Sequence, residues 1–159
     1  MANEHVYKTN IIWTGNLSGG TKSYTDYSRA HEISIEGKPI IVGSSDPHFN
    51  GDASRYNPEE LLVASLSSCQ MLWYLHLCAK AGIVVVHYQD AATGTMIETK
   101  NGGGRFVAVS LAPRVTIVGN SNQERAKELQ HEAHELCFIA NSVNFPVRVE
   151  AEIVLDQDI

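Results

Sequence analysis

Three cysteines in 159 residues are too few for a disulfide framework. No run of Lys or Arg is present, and 12 basic against 18 acidic side chains leave the chain at −6. That balance argues against a nucleic-acid surface. The opening residues, MANEHVYKTNIIW, lack the charged start and apolar stretch of a secretory signal. The expectation is a cytoplasmic protein, with neither nucleic acid nor membrane among its partners. Its three thiols are then buried hydrophobes, metal ligands or redox groups. Residues 102–104 are all glycine, yet no Lys-Ser/Thr follows and no helix begins there, which excludes a phosphate loop. G-x-S-x-G and H-E-x-x-H are missing too. No repeat, linker or low-complexity tract divides the chain, so residues 1–159 read as one domain.

What is present is one long apolar stretch, residues 57–82 (NPEELLVASLSSCQMLWYLHLCAKAG). Asn57 is a cap, Pro58 fits the first helical position, and Glu59 and Glu60 suit the first turn. Gly82 is the stop signal. Apolar side chains lie on nearly every side, interrupted by Ser67, Ser68, Gln70, His76 and Lys80. The interruptions favour a buried core helix over a membrane span.

Strands are expected on both sides of this helix. Residues 5–14 read as one strand, residues 22–35 as two short strands or one bent strand, and residues 40–42 as another. Residues 43–56 form a loop long enough to carry function. Residues 83–97 and 106–118 form a long hairpin closed by residues 99–104. A second helix, capped by Asn120-Ser121, covers residues 122–136. Residues 137–143 are short helix or irregular, and residues 145–155 alternate as a final strand. The class is α+β, with a mainly antiparallel sheet around the central helix.

Cys69 sits in mid-helix and Cys137 at the end of the second helix, 137 − 69 = 68 residues apart. Cys78 follows Cys69 by nine residues, which puts it on the opposite side of the same helix. It reads as a packed small hydrophobe. A reactive thiolate needs a cation nearby. Arg29, Arg55, Arg105 and Arg148 are the candidates, and a buried Arg needs a carboxylate such as Glu59 or Glu60. Glu59 lies ten residues before Cys69, roughly 15 Å along a straight helix. Both can serve one site only if the helix bends or a second subunit contributes, and a near-continuously apolar helix favours a homodimer. His131, His134 and Cys137 form an H-x-x-H-x-x-C run that, with Cys69, offers four zinc ligands. Two histidines on a half-exposed helix face explain the run as well. His76 reads as a satisfied core histidine.

The segments NPEELLVASLSSCQ and LCFIANSV…PVRVEAEIVL together resemble the OsmC/Ohr family, the osmotically inducible and organic hydroperoxide resistance proteins. The shared pattern is an N-P-E-x-L helix start, a Cys ten residues beyond its Glu, and a second Cys after a later helix. Glu59, Cys69 and Cys137 match it. The chain departs after the second Cys, where Phe138-Ile139-Ala140 replaces a Pro-containing run. The resemblance implies an intertwined homodimer and a thiol peroxidase that reduces organic hydroperoxides without metal or organic cofactor. It makes Cys69 the peroxidatic thiol and Cys137 its resolving partner. Arg29, with Arg55 as alternative, would activate Cys69, and Glu59 would hold the Arg. A dithiol reductant, either a lipoylated protein or a small thiol, would complete the cycle. Phe49, Trp73, Phe138 and Phe145 are candidate walls for an organic tail. A non-catalytic redox-sensing or ligand-binding protein, whose thiol pair records oxidant but turns over slowly, is the alternative within the same fold.

Overall fold

The computed structural model describes residues 3–156. Contacts gather it into two compact units, the first ending at Leu61 and the second beginning at Leu62.

The first unit carries an antiparallel sheet of β1 (Asn10–Trp13), β2 (His31–Ser34) and β3 (Ile41–Gly43), in that order. β1 is shorter than the strand expected over residues 5–14. It pairs only where β2 runs beside it, from Asn10 opposite Ser34 to Trp13 opposite His31. The strand expected across residues 22–35 shrinks to β2. Before it the chain turns, with the Asp26 N–H donating to the Ser23 carbonyl at 3.2 Å, in a stretch of turn-forming Ser, Thr and Asp. At Gly43 a side chain would collide with the His31 ring, so the glycine leaves room for that ring where β3 pairs with β2. The loop after β3 holds a short 3₁₀ turn, Pro47–Phe49, where the Asp46 carboxylate accepts from the His48 N–H at 2.7 Å.

α1 (Pro58–Lys80) begins and ends as its sequence dictates. Asn57 Oδ1 accepts from the Glu60 N–H at 2.8 Å, and the Glu60 carboxylate accepts from the Asn57 N–H at 3.1 Å. This reciprocal pair satisfies two donors the helix start leaves open. At the far end Gly82 takes φ +70°, and the Ile83 N–H reaches the Cys78 carbonyl at 2.9 Å. Burial corrects the expectation of an enclosed helix. Only Leu66, Gln70, Tyr74 and Cys78, spaced four apart, are buried, and Leu72 is 63% exposed. Length and composition alone would let α1 cross a bilayer. Here it lays one stripe into the core of the second unit.

In that unit, each arm of the expected hairpin is broken. β4 (Val85–Asp90) and β7 (Pro113–Val118) pair in one sheet, while β5 (Thr93–Glu98) and β6 (Gly104–Leu111) pair in another. Asp90 fixes the break, since its carboxylate accepts from the Ala112 N–H at 2.7 Å and from the Ser67 hydroxyl at 2.5 Å. The closing strand divides likewise. β8 (Val147–Val149) runs parallel to β6, and β9 (Glu152–Asp156) parallel to β7. The sheet orders are β4-β7-β9 and β5-β6-β8. Four of the six strand pairings in the described chain are antiparallel, so the α+β, mainly antiparallel reading holds.

α2 (Gln123–Leu136) is capped by Asn122, one residue beyond the expected Asn120-Ser121, with its side chain accepting from the Arg125 N–H at 3.0 Å. One core joins Tyr74, Cys78, Val115, Ile117, Leu129 and Ile153 of α1, β7, α2 and β9. A second joins Leu66, Val109 and Leu111, with Phe145 and Val147 packed against it. The two cores sit under successive turns of the α1 stripe, so α1 ties both sheets together.

Candidate functional site

Cys69 projects from α1 beside the buried stripe and is half-buried. Cys137 caps the end of α2, where its N–H donates to the His134 carbonyl at 3.2 Å, and is 1% exposed. The two thiols are neighbours despite their separation along the chain, close enough for Cys69 to raise the pKa of Cys137. Burial pushes the Cys137 thiol up to about 11. The Ala140 N–H, which points at its sulfur at 3.5 Å, works the other way, and the Cys69 thiol adds to the rise. A Cys137 that keeps its proton is a donor to a thiolate at Cys69.

Beside Cys69 opens a cavity of about 500 Å³. Leu72, Trp73, Phe138 and Ile139 supply its apolar walls, and Ser65 and Ser68 lie at the Cys69 end. The Trp73 and Phe138 rings meet edge to face at 5.4 Å. Trp73 and Phe138 are therefore walls, as the sequence led one to expect. Phe145 is not. It packs on Phe106 at 5.5 Å in the second core. His76, read from sequence as a core histidine, is instead exposed and lines this cavity, its ring edge to face with Trp73 at 5.8 Å. Cys69, Leu72, Trp73 and His76 follow the i, i+3, i+4, i+7 spacing of one helix face, so the pattern was available in the sequence.

The first unit holds its own cavity of about 330 Å³, lined among others by Arg29, Glu59, Trp13, His31 and Phe49. The Arg29 guanidinium is fixed from several sides. It donates to the carbonyls of Tyr27 and Tyr24 at 2.6 Å each, and lies over their rings at 4.1 and 4.3 Å. Glu60 is engaged in capping the helix, so the carboxylates lining the Arg29 cavity are Glu59 and Asp46, the latter already accepting from the His48 N–H. Arg55 forms an exposed ion pair with Asp52 at 3.4 Å and lines neither cavity.

Cys78 is buried on the far side of α1 from Cys69, as nine helical steps require. Burial pushes its thiol up, while Tyr74 works against that rise. Among the described residues no three His, Cys, Asp or Glu side chains are grouped as a metal site. The His131–His134–Cys137 spacing therefore does not become a zinc cluster. His131 stays on the exposed face of α2, while the sulfur of Cys137 faces Cys69.

Fold and site define an α+β protein with paired thiols at the end of an apolar cavity. The model of the OsmC-like protein family matches residues 51–152, and the chain belongs to that family. Among solved structures, an OsmC-like protein of unknown function from Vibrio cholerae is similar at 33% identity. It superposes with a TM-score of 0.79 over 95% of this chain and 100% of its own. An organic hydroperoxide resistance protein from Legionella pneumophila shares the fold at 19% identity and a TM-score of 0.67, over 95% of this chain and 99% of its own. Organic hydroperoxide resistance protein-like 2 of Staphylococcus saprophyticus is 23% identical over 148 residues, 93% of this chain and 95% of the relative.

Proposed function

We propose that the chain is a thiol-dependent peroxidase that reduces organic hydroperoxides. The observation that carries the reading is the meeting of Cys69 and Cys137 beside an apolar cavity. The names of the Legionella and Staphylococcus relatives support a role in organic hydroperoxide resistance.

The chemistry is a two-electron exchange at sulfur. The Cys69 thiolate attacks the terminal peroxide oxygen and the O–O bond breaks. The alkoxide takes a proton and leaves as alcohol, and Cys69 becomes a sulfenic acid. The Cys137 sulfur then attacks the Cys69 sulfur, and the sulfenic hydroxyl leaves as water with the Cys137 proton. The disulfide that remains is returned to two thiols by exchange with an external dithiol, which is oxidised in turn. Arg29 is proposed as the cation that favours the Cys69 thiolate and orients the peroxide, with Glu59 holding the guanidinium. The two halves of the site come together, in this reading, within a homodimer. Ile11, Ile12, Ile41 and Val42 leave apolar side chains of the first sheet in water, and a second copy would cover them. The cycle requires a reducing compartment, consistent with the cytoplasm.

Steady-state consumption of cumene hydroperoxide with a dithiol reductant tests the reading. Cys69→Ser is expected to abolish turnover. Cys137→Ser is expected to allow one turnover and leave a sulfenic acid that a dimedone-type probe captures at Cys69. Undiminished turnover in Cys69→Ser would end the enzymatic reading.

A further inference from the structure

We propose that His76 is a specificity-determining residue, anchoring a carboxylate at the far end of the hydroperoxide from its reacting oxygen. This rests on the peroxidase reading above.

The cavity has a polar start and a polar finish. At one end lie Cys69, Ser65 and Ser68, and at the other lies His76. Between them run Leu72, Trp73, Phe138 and Ile139, with no charged side chain in the wall. His76 stands seven residues, two helical turns, beyond Cys69 on the same face of α1, about 10 Å along the axis. That span suits a substrate with one aromatic ring or a short apolar body. The ring of His76 is held by its edge contact with Trp73, which is itself set edge to face on Phe138. Phe138 directly follows Cys137, so one row of aromatic contacts runs from the resolving thiol to the imidazole. A histidine so held offers an N–H, or a full positive charge when protonated, to an anionic acceptor. Lys80 follows one turn later on the same side of the helix and adds a positive charge beyond His76. A wholly apolar hydroperoxide would leave this N–H with water alone. A substrate carrying a carboxylate would use it, and an apolar wall with one convergent polar group is how a small-molecule site fixes orientation.

The test compares cumene hydroperoxide with its para-carboxylate, which share the ring and the peroxide. The quantity read is the ratio of their kcat/KM values, so that general damage to a variant cancels. Wild type is expected to favour the carboxylate by about tenfold, chiefly through KM, the worth of one charge-assisted hydrogen bond. His76→Phe should bring the ratio to about one, while His76→Gln, which keeps an N–H donor, should restore part of it. A wild-type ratio near one, or a ratio unmoved by His76→Phe, overturns the proposal while leaving the peroxidase reading intact. Failure of wild type to consume either compound removes the peroxidase reading, and the role of His76 with it.

Discussion

Cys137 and Cys69 should differ sharply toward an alkylating agent, and the structure sets the size of the difference. Only the thiolate reacts. At a pH of about 8, a thiol held at about 11 is ionised in roughly one molecule in a thousand, whereas one at the ordinary 9.0 is ionised in roughly one in ten. Ionisation alone therefore slows Cys137 about a hundredfold relative to an ordinary thiol. Its 1% exposure slows it further, because reagent reaches it only when the end of α2 opens. Cys69, half-buried beside an open cavity, carries no such steric block. The assay is a time course with iodoacetamide on the reduced protein, read by peptide mass spectrometry across the pH range from neutral to strongly alkaline. Labelling should appear first at Cys69. The Cys137 rate should rise about tenfold per pH unit and level off only near 11. Equal labelling of the two at neutral pH, or a Cys137 rate that levels off near 9, would refute the argument from burial and the Cys69 contact.

The same thiol links stability to pH. Cys137 binds its proton more tightly in the folded chain than in the unfolded one, so its contribution is fully present below about 9 and lost as pH rises toward about 11. The loss is on the order of 2–3 kcal/mol, and urea unfolding of Cys137→Ala should show a correspondingly flatter decline than wild type over that window. Leu66→Ala should cost about 2–5 kcal/mol in the same experiment, because Leu66 is fully buried where α1 meets Val109 and Leu111.

The ends of elements were legible in the sequence wherever local chemistry sets them. Asn57-Pro58 with Glu60 starts α1 and Gly82 stops it, each through a hydrogen bond made within a few residues. Breaks set by distant partners were not legible. Residues 83–97 carry strand-forming side chains almost throughout, and nothing local announces that Asp90 will receive the Ala112 N–H and the Ser67 hydroxyl and divide the arm between two sheets. The extent of α1 burial was misjudged for a related reason. Composition counts apolar side chains but does not say how many the protomer's own strands can cover, and here they cover one stripe. At the site, the juxtaposition of Cys69 and Cys137 followed from the family resemblance rather than from spacing. His76 was missed although it shares the helix face of Cys69, because a lone histidine among apolar residues looks like core.

The central claim is that Cys69 and Cys137 exchange electrons with a peroxide. The most direct measurement is intact-mass and peptide analysis of the reduced protein after one equivalent of cumene hydroperoxide. The account predicts loss of two hydrogens, mapped to a Cys69–Cys137 disulfide, with Cys78 still a free thiol. An unchanged mass, or oxidation that maps to Cys78 and leaves the pair reduced, would contradict it.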